Sequence, residues 1–553
     1  MRPDAILLAC LAALASSAAA ALELRGPTLS AASNFSQTWA PGPLSGAAAI
    51  GITEYRDEIL WQYIEQDDGS LVFRSRREAY PSILTARDAS MTFLVYTGHP
   101  NWEGGRVPQT DAGRAAFADY TARIVERFPL IHSVEVGNEF NADFFTNAES
   151  WPQDFETRAA AYIALLKATK DAVHAVNPDI RILGGAAHSI PIAWVEPLMR
   201  QGAAKHMDAF VIHPYTTEPE QLVRQIALMR AVPGMEEMPL EVTEFGTPDP
   251  QIAAGYLMRM YCQMALSGVT GAVWYPFSHR GDGLIPLLED DGSATDVGET
   301  YAFITKTFQG LPVANVAPDP FTYACRFGDN ALVIWGAPRA LTLSDPSAQI
   351  YDVRGRVHTG ALQLSRTDPL VILADTPVAL GSTFALAPQR VVADSFDQFT
   401  YASNAPFMRH VLHRGEEVAL QTRPGQETNG VPWTPYLGFD PDGTVRAGAD
   451  WAAPSAWGAD DPLDVVHRYT SAAAQRVSVV IQAAPSETST DGVTIKIVLN
   501  GKLLDAHTVT SAQKINLEGI GLAEGDHLDV LLGPNLSPEG DWTQLRITVF
   551  EAT

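Results

Sequence analysis

Cysteine is scarce in this chain, with three residues in 553. Cys10 sits in an apolar leader, so only Cys262 and Cys325 remain in the body. Two such residues do not build a disulfide-stapled scaffold, and no His/Cys cluster has the spacing of a zinc site. The two fall in segments read below as different domains, so the sequence allows a bond between them without indicating one. Basic residues are also few: 38 Lys and Arg stand against 64 Asp and Glu, for a net charge of −26. That balance argues against nucleic acid or anionic lipid as partner, and leaves a neutral or cationic one. No glycine-rich phosphate loop is present. Beyond the first residues no segment approaches the ~20 apolar residues of a membrane span.

The first residues are the exception. MRPDAILLACLAALASSAAAALE carries Arg2, an apolar run, and the small residues Ala19-Ala20-Ala21 before Leu22. This is the pattern of a cleaved signal peptide over 1–21, which implies a secreted or periplasmic protein. LLAC at 7–10 faintly resembles a lipoprotein box, but too few apolar residues precede Cys10 and too many follow it.

A chain of this length exceeds one hydrophobic core, so two or three domains are expected. Over 22–308, short apolar runs alternate with helical patterns. ITEYRDEI, MTFLVYTG, IHSVEVGNE, IRILGGAA, DAFVIHPY, LEVTEFG and GAVWYPF read as strands, with AASNFS as the first. AGRAAFADYTARIVERF and TRAAAYIALLKATKDAVHAV read as helices; in the second, Ala161, Leu165, Thr169 and Val173 share one face. Eight alternations over this length suit an α/β fold of the (β/α)8 TIM-barrel type. A doubly wound sheet would carry a phosphate turn early, and none is visible. After Phe308 helical periodicity stops. Residues 309–385 read as a small accessory β domain, and 386–553 as a jelly-roll-like β-sandwich with strands such as VTIKIVLNG and TQLRITVF.

In a (β/α)8 barrel, reactive groups gather at the carboxyl ends of the strands. SVEVGNEFN (133–141) ends a buried-looking strand in Asn138 and Glu139, and PLEVTEFGT (239–247) ends another in Glu244. Other strand ends supply Arg56, His99, Trp102, His213, Tyr215 and Trp274. Any one of these is more readily structural than functional; one or two polar groups on strand after strand are hard to explain by packing. Glu135 shares the strand face of Glu139 and reads as a structural acid paired inside the barrel. Glu241 lies on the face opposite Glu244 and also reads as structural. Asp143, Glu149, His279 and Asp282 lie in loops beyond strand ends, where most acids are merely solvated.

These motifs resemble the retaining (β/α)8 glycoside hydrolases of the clan that contains families 5 and 39. Asn138-Glu139 matches the clan's fourth-strand Asn-Glu, and Glu244 in TEFG matches its seventh-strand nucleophile. Arg56, His99, His213-Pro-Tyr215 and Trp274 match its second-, third-, sixth- and eighth-strand residues. GITEYRDEILWQYIEQDDGSLVF and GDGLIPLLEDDGSATDVGETYAFI give the resemblance a family 39 character. It covers about residues 33–308.

The resemblance implies an enzyme that cleaves O-glycosidic bonds in a poly- or oligosaccharide by double displacement, without metal or cofactor. Such chemistry needs one neutral and one charged carboxyl. Glu139 is expected as acid/base, with its pKa raised by burial and a nearby carboxylate. Glu244 is expected as nucleophile, kept ionised by Arg56 and Tyr215. Asn138 would hold a sugar hydroxyl, His99 and His213 would orient the acid or bind hydroxyls, and Trp274 would floor the ring. Trp102, Trp61 and Trp151 either extend that platform or fill the core. Trp433, Tyr436, Trp451, Trp457 and Trp542 are the aromatics with which the sandwich could bind glycan, or fill its own core or its interface with the barrel. A non-catalytic glycan-binding protein of polysaccharide assembly is the alternative; it would not need both carboxyls. A metal-dependent hydrolase would need a ligand cluster that the sequence lacks.

Overall fold

The computed structural model describes residues 23–146, 151–404, 406–428, 430–439, 443–458 and 460–552. The expected signal peptide and Glu149 lie outside the described residues.

Eight parallel strands close into a barrel: Thr28–Ala32 (β1), Glu54–Glu58 (β2), Ser90–Val95 (β3), Ile131–Val136 (β4), Arg181–His188 (β5), Ala209–His213 (β6), Leu240–Phe245 (β7) and Val269–Trp274 (β8). Closure is by β8 on β1, with Ala31 opposite Trp274, while Ala32 pairs with Arg56 on the other side. These strands read as apolar runs because both faces are covered, one by the barrel interior and one by helices. The first strand lies earlier than expected. It ends at Ala32, and the rest of AASNFS turns through Asn34 at φ 51°.

Helices Asp111–Arg127 and Phe155–Val176 follow β3 and β4. Each begins at a side-chain cap: Thr110 accepts from the Gly113 N–H, and Asp154 from the Thr157 N–H. The second helix buries Leu165, Thr169 and Val173, the stripe that their spacing of four predicts.

Beyond the barrel the chain is all β. Strands Val313–Asn315, Thr322–Phe327, Ala331–Gly336, Gln349–Tyr351 and Leu370–Leu373 form an antiparallel sheet, and Leu341–Leu343 pairs with Phe384–Leu386. That last strand crosses the expected boundary at 385. The remaining strands form an eight-stranded and a seven-stranded antiparallel sheet. Val479, Ile481 and Ile547 from one and Val465, Ile495 and Val530 from the other share a single apolar core, which makes a sandwich.

Three contacts are among those that fix these layers to the barrel. Cys262, on helix Ala253–Leu266, forms a disulfide with Cys325 of the small sheet, the bond that the sequence left open. Buried Glu220 accepts from Arg259 Nη1 and from Trp335 Nε1, both at 2.7 Å. Asn141, just past β4, donates from Nδ2 to Gln426 Oε1 of the sandwich at 2.6 Å and accepts from Gln426 Nε2 on its backbone carbonyl at 2.8 Å. The third contact carries the sandwich to the strand ends where the polar residues lie.

Candidate active site

The turn after β4 sets the site. Gly137 adopts φ 90°, and a Cβ there would meet the Phe140 ring at 2.9 Å and the Ala186 Cβ at 3.1 Å, so only glycine fits. Two residues on, Glu139 also takes a positive φ, 52°, which is uncommon for a residue with a side chain. The chain thus leaves the strand abruptly, with Asn138 and Glu139 at the mouth of the barrel, each only 6% exposed.

Beneath them lies a buried ionic layer. The Arg56 guanidinium donates through Nε and Nη2 to the two oxygens of Glu135, at 2.6 and 2.9 Å. Glu135 is fully buried; burial pushes its carboxyl up, but Arg56 and then His213 prevail and bring it to about 2. Arg56 Nη2 also donates to Asn138 Oδ1 at 3.1 Å, and Nη1 to Glu244 Oε2 at 2.8 Å. Tyr215 donates its hydroxyl to Glu244 Oε1 at 2.9 Å. Burial and the charge of Glu244 push the Tyr215 phenol well up, so it stays a donor. Both oxygens of Glu244 therefore accept a hydrogen bond from a fixed group.

Glu139 has different company. His188 Nδ1 and His213 Nδ1 lie 3.0 and 2.9 Å from one oxygen, Oε1. Burial pushes the Glu139 carboxyl up, but hydrogen bonds from His188 and His213, and their charge, outweigh it and hold it below its ordinary value. This corrects the expectation of a raised carboxyl: the groups bonded to Glu139 are two imidazoles, not a second carboxylate. His213 moves the other way. Burial alone would depress it, but the charge of Glu244 and its bonds toward Glu135 and Glu139 raise it to about 9. Protonated, it donates from Nδ1 to Glu139 and from Nε2 to Thr243 Oγ1 at 3.1 Å; Thr243 in turn donates to Glu135 at 3.0 Å.

One atom each of Glu139, His213 and Glu244 lie within 4.8 Å of one another. Together they could ligate a cation, but Arg56, Tyr215 and the two imidazoles already direct protons at the carboxylate oxygens. A metal there would compete with the Arg56 charge 2.8 Å from Glu244.

No model of a known protein family matches the chain, and no curated protein matches it either. Solved structures do. A family 39 glycoside hydrolase from the gut symbiont Bacteroides cellulosilyticus WH2 superposes with a TM-score of 0.50 at 18% identity, over 64% of this chain and 81% of that one. What the two chains share is the fold, a closed (β/α)8 barrel followed by β domains. A family 39 β-xylosidase from Caulobacter crescentus gives 0.47 at 15% identity, over 64% and 97% of the two chains. A family 30 endoxylanase from Clostridium papyrosolvens C71 gives 0.48 at 14%, over 64% and 96%.

At the mouth of this barrel, the structure brings Arg56, Asn138, Glu139, His213, Tyr215 and Glu244 into one hydrogen-bonded group. Other expected residues stand apart. His99 accepts from the Asn101 N–H at 3.2 Å and packs on Trp61, and Trp102 lies half-buried on the same loop. Trp274 does not floor the cleft. It is fully buried, packs edge-on against Phe245 and donates to the Ile285 carbonyl. The next residue, Tyr275, is half-buried and bonds Asp282 at 2.7 Å. Trp61, stacked on Tyr120, and Trp151, against Phe140, fill the core. Glu241 pairs with Arg181, Asp143 with Arg158, and His279 with Glu289.

Two participants were missed as part of this site. His188 was lost because the expected strand stopped at Ala187, after two glycines that weaken a strand pattern. Trp433 was noted only as a sandwich aromatic. Its ring lies 4.9 Å from that of His188 and 6.0 Å from that of Phe144. Beside it opens a cavity of ≈ 1100 Å³, walled by Tyr215, Gly246 and Thr247 of the barrel and by Trp433, Trp451 and Trp542 of the sandwich.

Proposed function

We propose that this protein is an exported retaining glycoside hydrolase that cleaves O-glycosidic bonds in an oligo- or polysaccharide, with Glu244 as nucleophile and Glu139 as acid/base. The observation that carries the proposal is the pair of carboxylates with oxygens within 4.8 Å and unlike partners. Retaining enzymes hold their carboxyls ~5–5.5 Å apart, whereas inverting ones leave ~6.5–9.5 Å for a water.

In the first step Glu244 attacks the anomeric carbon while the leaving oxygen takes a proton from Glu139. Arg56 and Tyr215 aim both Glu244 oxygens and hold its charge until the bond forms. The proton for Glu139 is the one it shares with His213. When a sugar covers the cleft and displaces water, charge on the carboxyl costs more, and the proton shifts from His213 Nδ1 to Glu139. In the second step Glu139 takes a proton from the attacking water and the glycosyl–Glu244 bond breaks. Asn138, fixed by Arg56 Nη2, is placed to hold a sugar hydroxyl. The Cys262–Cys325 disulfide supports export, since such bonds persist in oxidising compartments.

Turnover of a panel of aryl glycosides and glycans tests the reading. Hydrolysis by the wild type, abolished in Glu244→Gln, with the first-formed sugar of the same anomeric configuration as the substrate, is the expected result. Binding without turnover across the panel would instead indicate a glycan-binding protein.

A further inference from the structure

The sandwich aromatics were expected to bind glycan, or to fill the sandwich core or its interface with the barrel. Trp433 lies at that interface. It packs nearly perpendicular to the ring of His188, the residue that bonds Glu139. The loop that carries Trp433 is pinned to the barrel by the two Asn141–Gln426 hydrogen bonds and by the Ile192 N–H on the Pro424 carbonyl at 3.0 Å. Asn141 also binds the backbone of His188 on both sides, N–H to Oδ1 at 2.8 Å and Nδ2 to carbonyl at 3.1 Å. The wall of the cavity and the acid/base therefore share one hydrogen-bonded scaffold.

Farther along the cavity, Trp451 and Trp542 stack at 5.8 Å between ring centres and 28° between planes. Trp451 sits on Gly448, where a Cβ would come within 2.3 Å of its indole nitrogen, so the pair has a firm base. Trp542 remains 41% exposed. A flat apolar ring with one open side suits the C–H face of a pyranose. The polar groups that line the same cavity, among them Arg446, Asp450, Glu218 and Thr247, offer donors and acceptors for hydroxyls. The cavity exceeds the ~300–1,000 Å³ of sites for a drug-sized ligand, which gives room for several sugar rings.

We infer that the C-terminal sandwich forms the distal subsites of the catalytic cleft, with Trp433 and Trp542 as stacking platforms for an uncharged glycan chain that continues from the bond held at Glu139 and Glu244. The inference rests on the glycosidase reading above and names its substrate class. A chain of net charge −26 disfavours an anionic polymer.

Chain-length dependence tests it. Initial rates are compared for the wild type, Trp542→Ala, Trp433→Ala and Trp457→Ala on one neutral oligosaccharide series, from the aryl monosaccharide to long chains. Trp457 is exposed and does not line the cavity. For Trp542→Ala and Trp433→Ala, the loss in kcat/KM on long chains should exceed that on the aryl glycoside by about tenfold, the factor that ~1.4 kcal/mol represents. Trp457→Ala should show no such trend. Equal losses at every length, or full activity on the longest chain, would overturn the subsites while wild-type turnover keeps the glycosidase reading. If the wild type turns over nothing in the series, that reading fails and the inference with it.

Discussion

His213 Nδ1 lies 2.9 Å from Glu139 Oε1, and His188 Nδ1 approaches the same oxygen at 3.0 Å. Two imidazoles on one carboxylate oxygen set the protonation of Glu139. Glu139→Gln should therefore cost ~10²–10⁴ in kcat on substrates with basic leaving groups, the usual worth of a general acid. The loss should shrink steeply for activated aryl leaving groups, which need no proton. A loss of equal size for both would remove Glu139 from the acid role.

His213 carries a stability signature of known sign. Its pKa is raised to about 9 in the folded protein, against ~6.5 for an unperturbed imidazole. The stability it contributes is complete below ~6.5 and is lost as pH rises through 9. The gap in Tm between wild type and His213→Asn should thus narrow between pH 6 and 10. A gap that stays constant over that range would mean that His213 is neutral in the folded state.

Glu135 should be structural. It is fully buried and answers the Arg56 fork with both oxygens. Glu135→Gln leaves a buried guanidinium half-paired, a loss of ~3–5 kcal/mol in unfolding free energy. Because its carboxyl is depressed to about 2, the contribution is present above the ordinary carboxylate range and falls away as pH drops toward 2. Denaturant unfolding near pH 7 reads the loss directly; a midpoint unchanged from the wild type would contradict the pairing.

The Cys262–Cys325 disulfide closes a sequence separation of 63 residues between a barrel helix and the small sheet. Chain-entropy arguments give such a loop roughly 4 kcal/mol. The Cys262→Ala, Cys325→Ala double variant should melt measurably lower than the oxidised wild type and should no longer respond to reductant. Identical melting curves would show that packing at this junction carries the stability instead.

Much of this was legible in sequence for one physical reason. A closed parallel sheet forces apolar runs, and the polar residue that ends a run marks the barrel mouth. Arg56, Asn138, Glu139, His213 and Glu244 were found that way, and Glu135 was assigned a buried partner from strand parity alone. The same rule failed where register mattered. Trp274 and Tyr275 are adjacent, so they point to opposite sides, and the larger aromatic proved to face the helix layer. His188 was hidden by Gly184 and Gly185. The wall built from Trp433, Trp451 and Trp542 depends on contacts across hundreds of residues, such as Asn141 with Gln426, and no local pattern encodes them.

Mass spectrometry of the intact protein after exposure to activated 2-fluoro glycosides of several sugars tests the central claim most directly. The account predicts a stable covalent adduct that maps to Glu244 and vanishes in Glu244→Gln. An adduct on another residue, or none from any sugar that the enzyme hydrolyses, would contradict it.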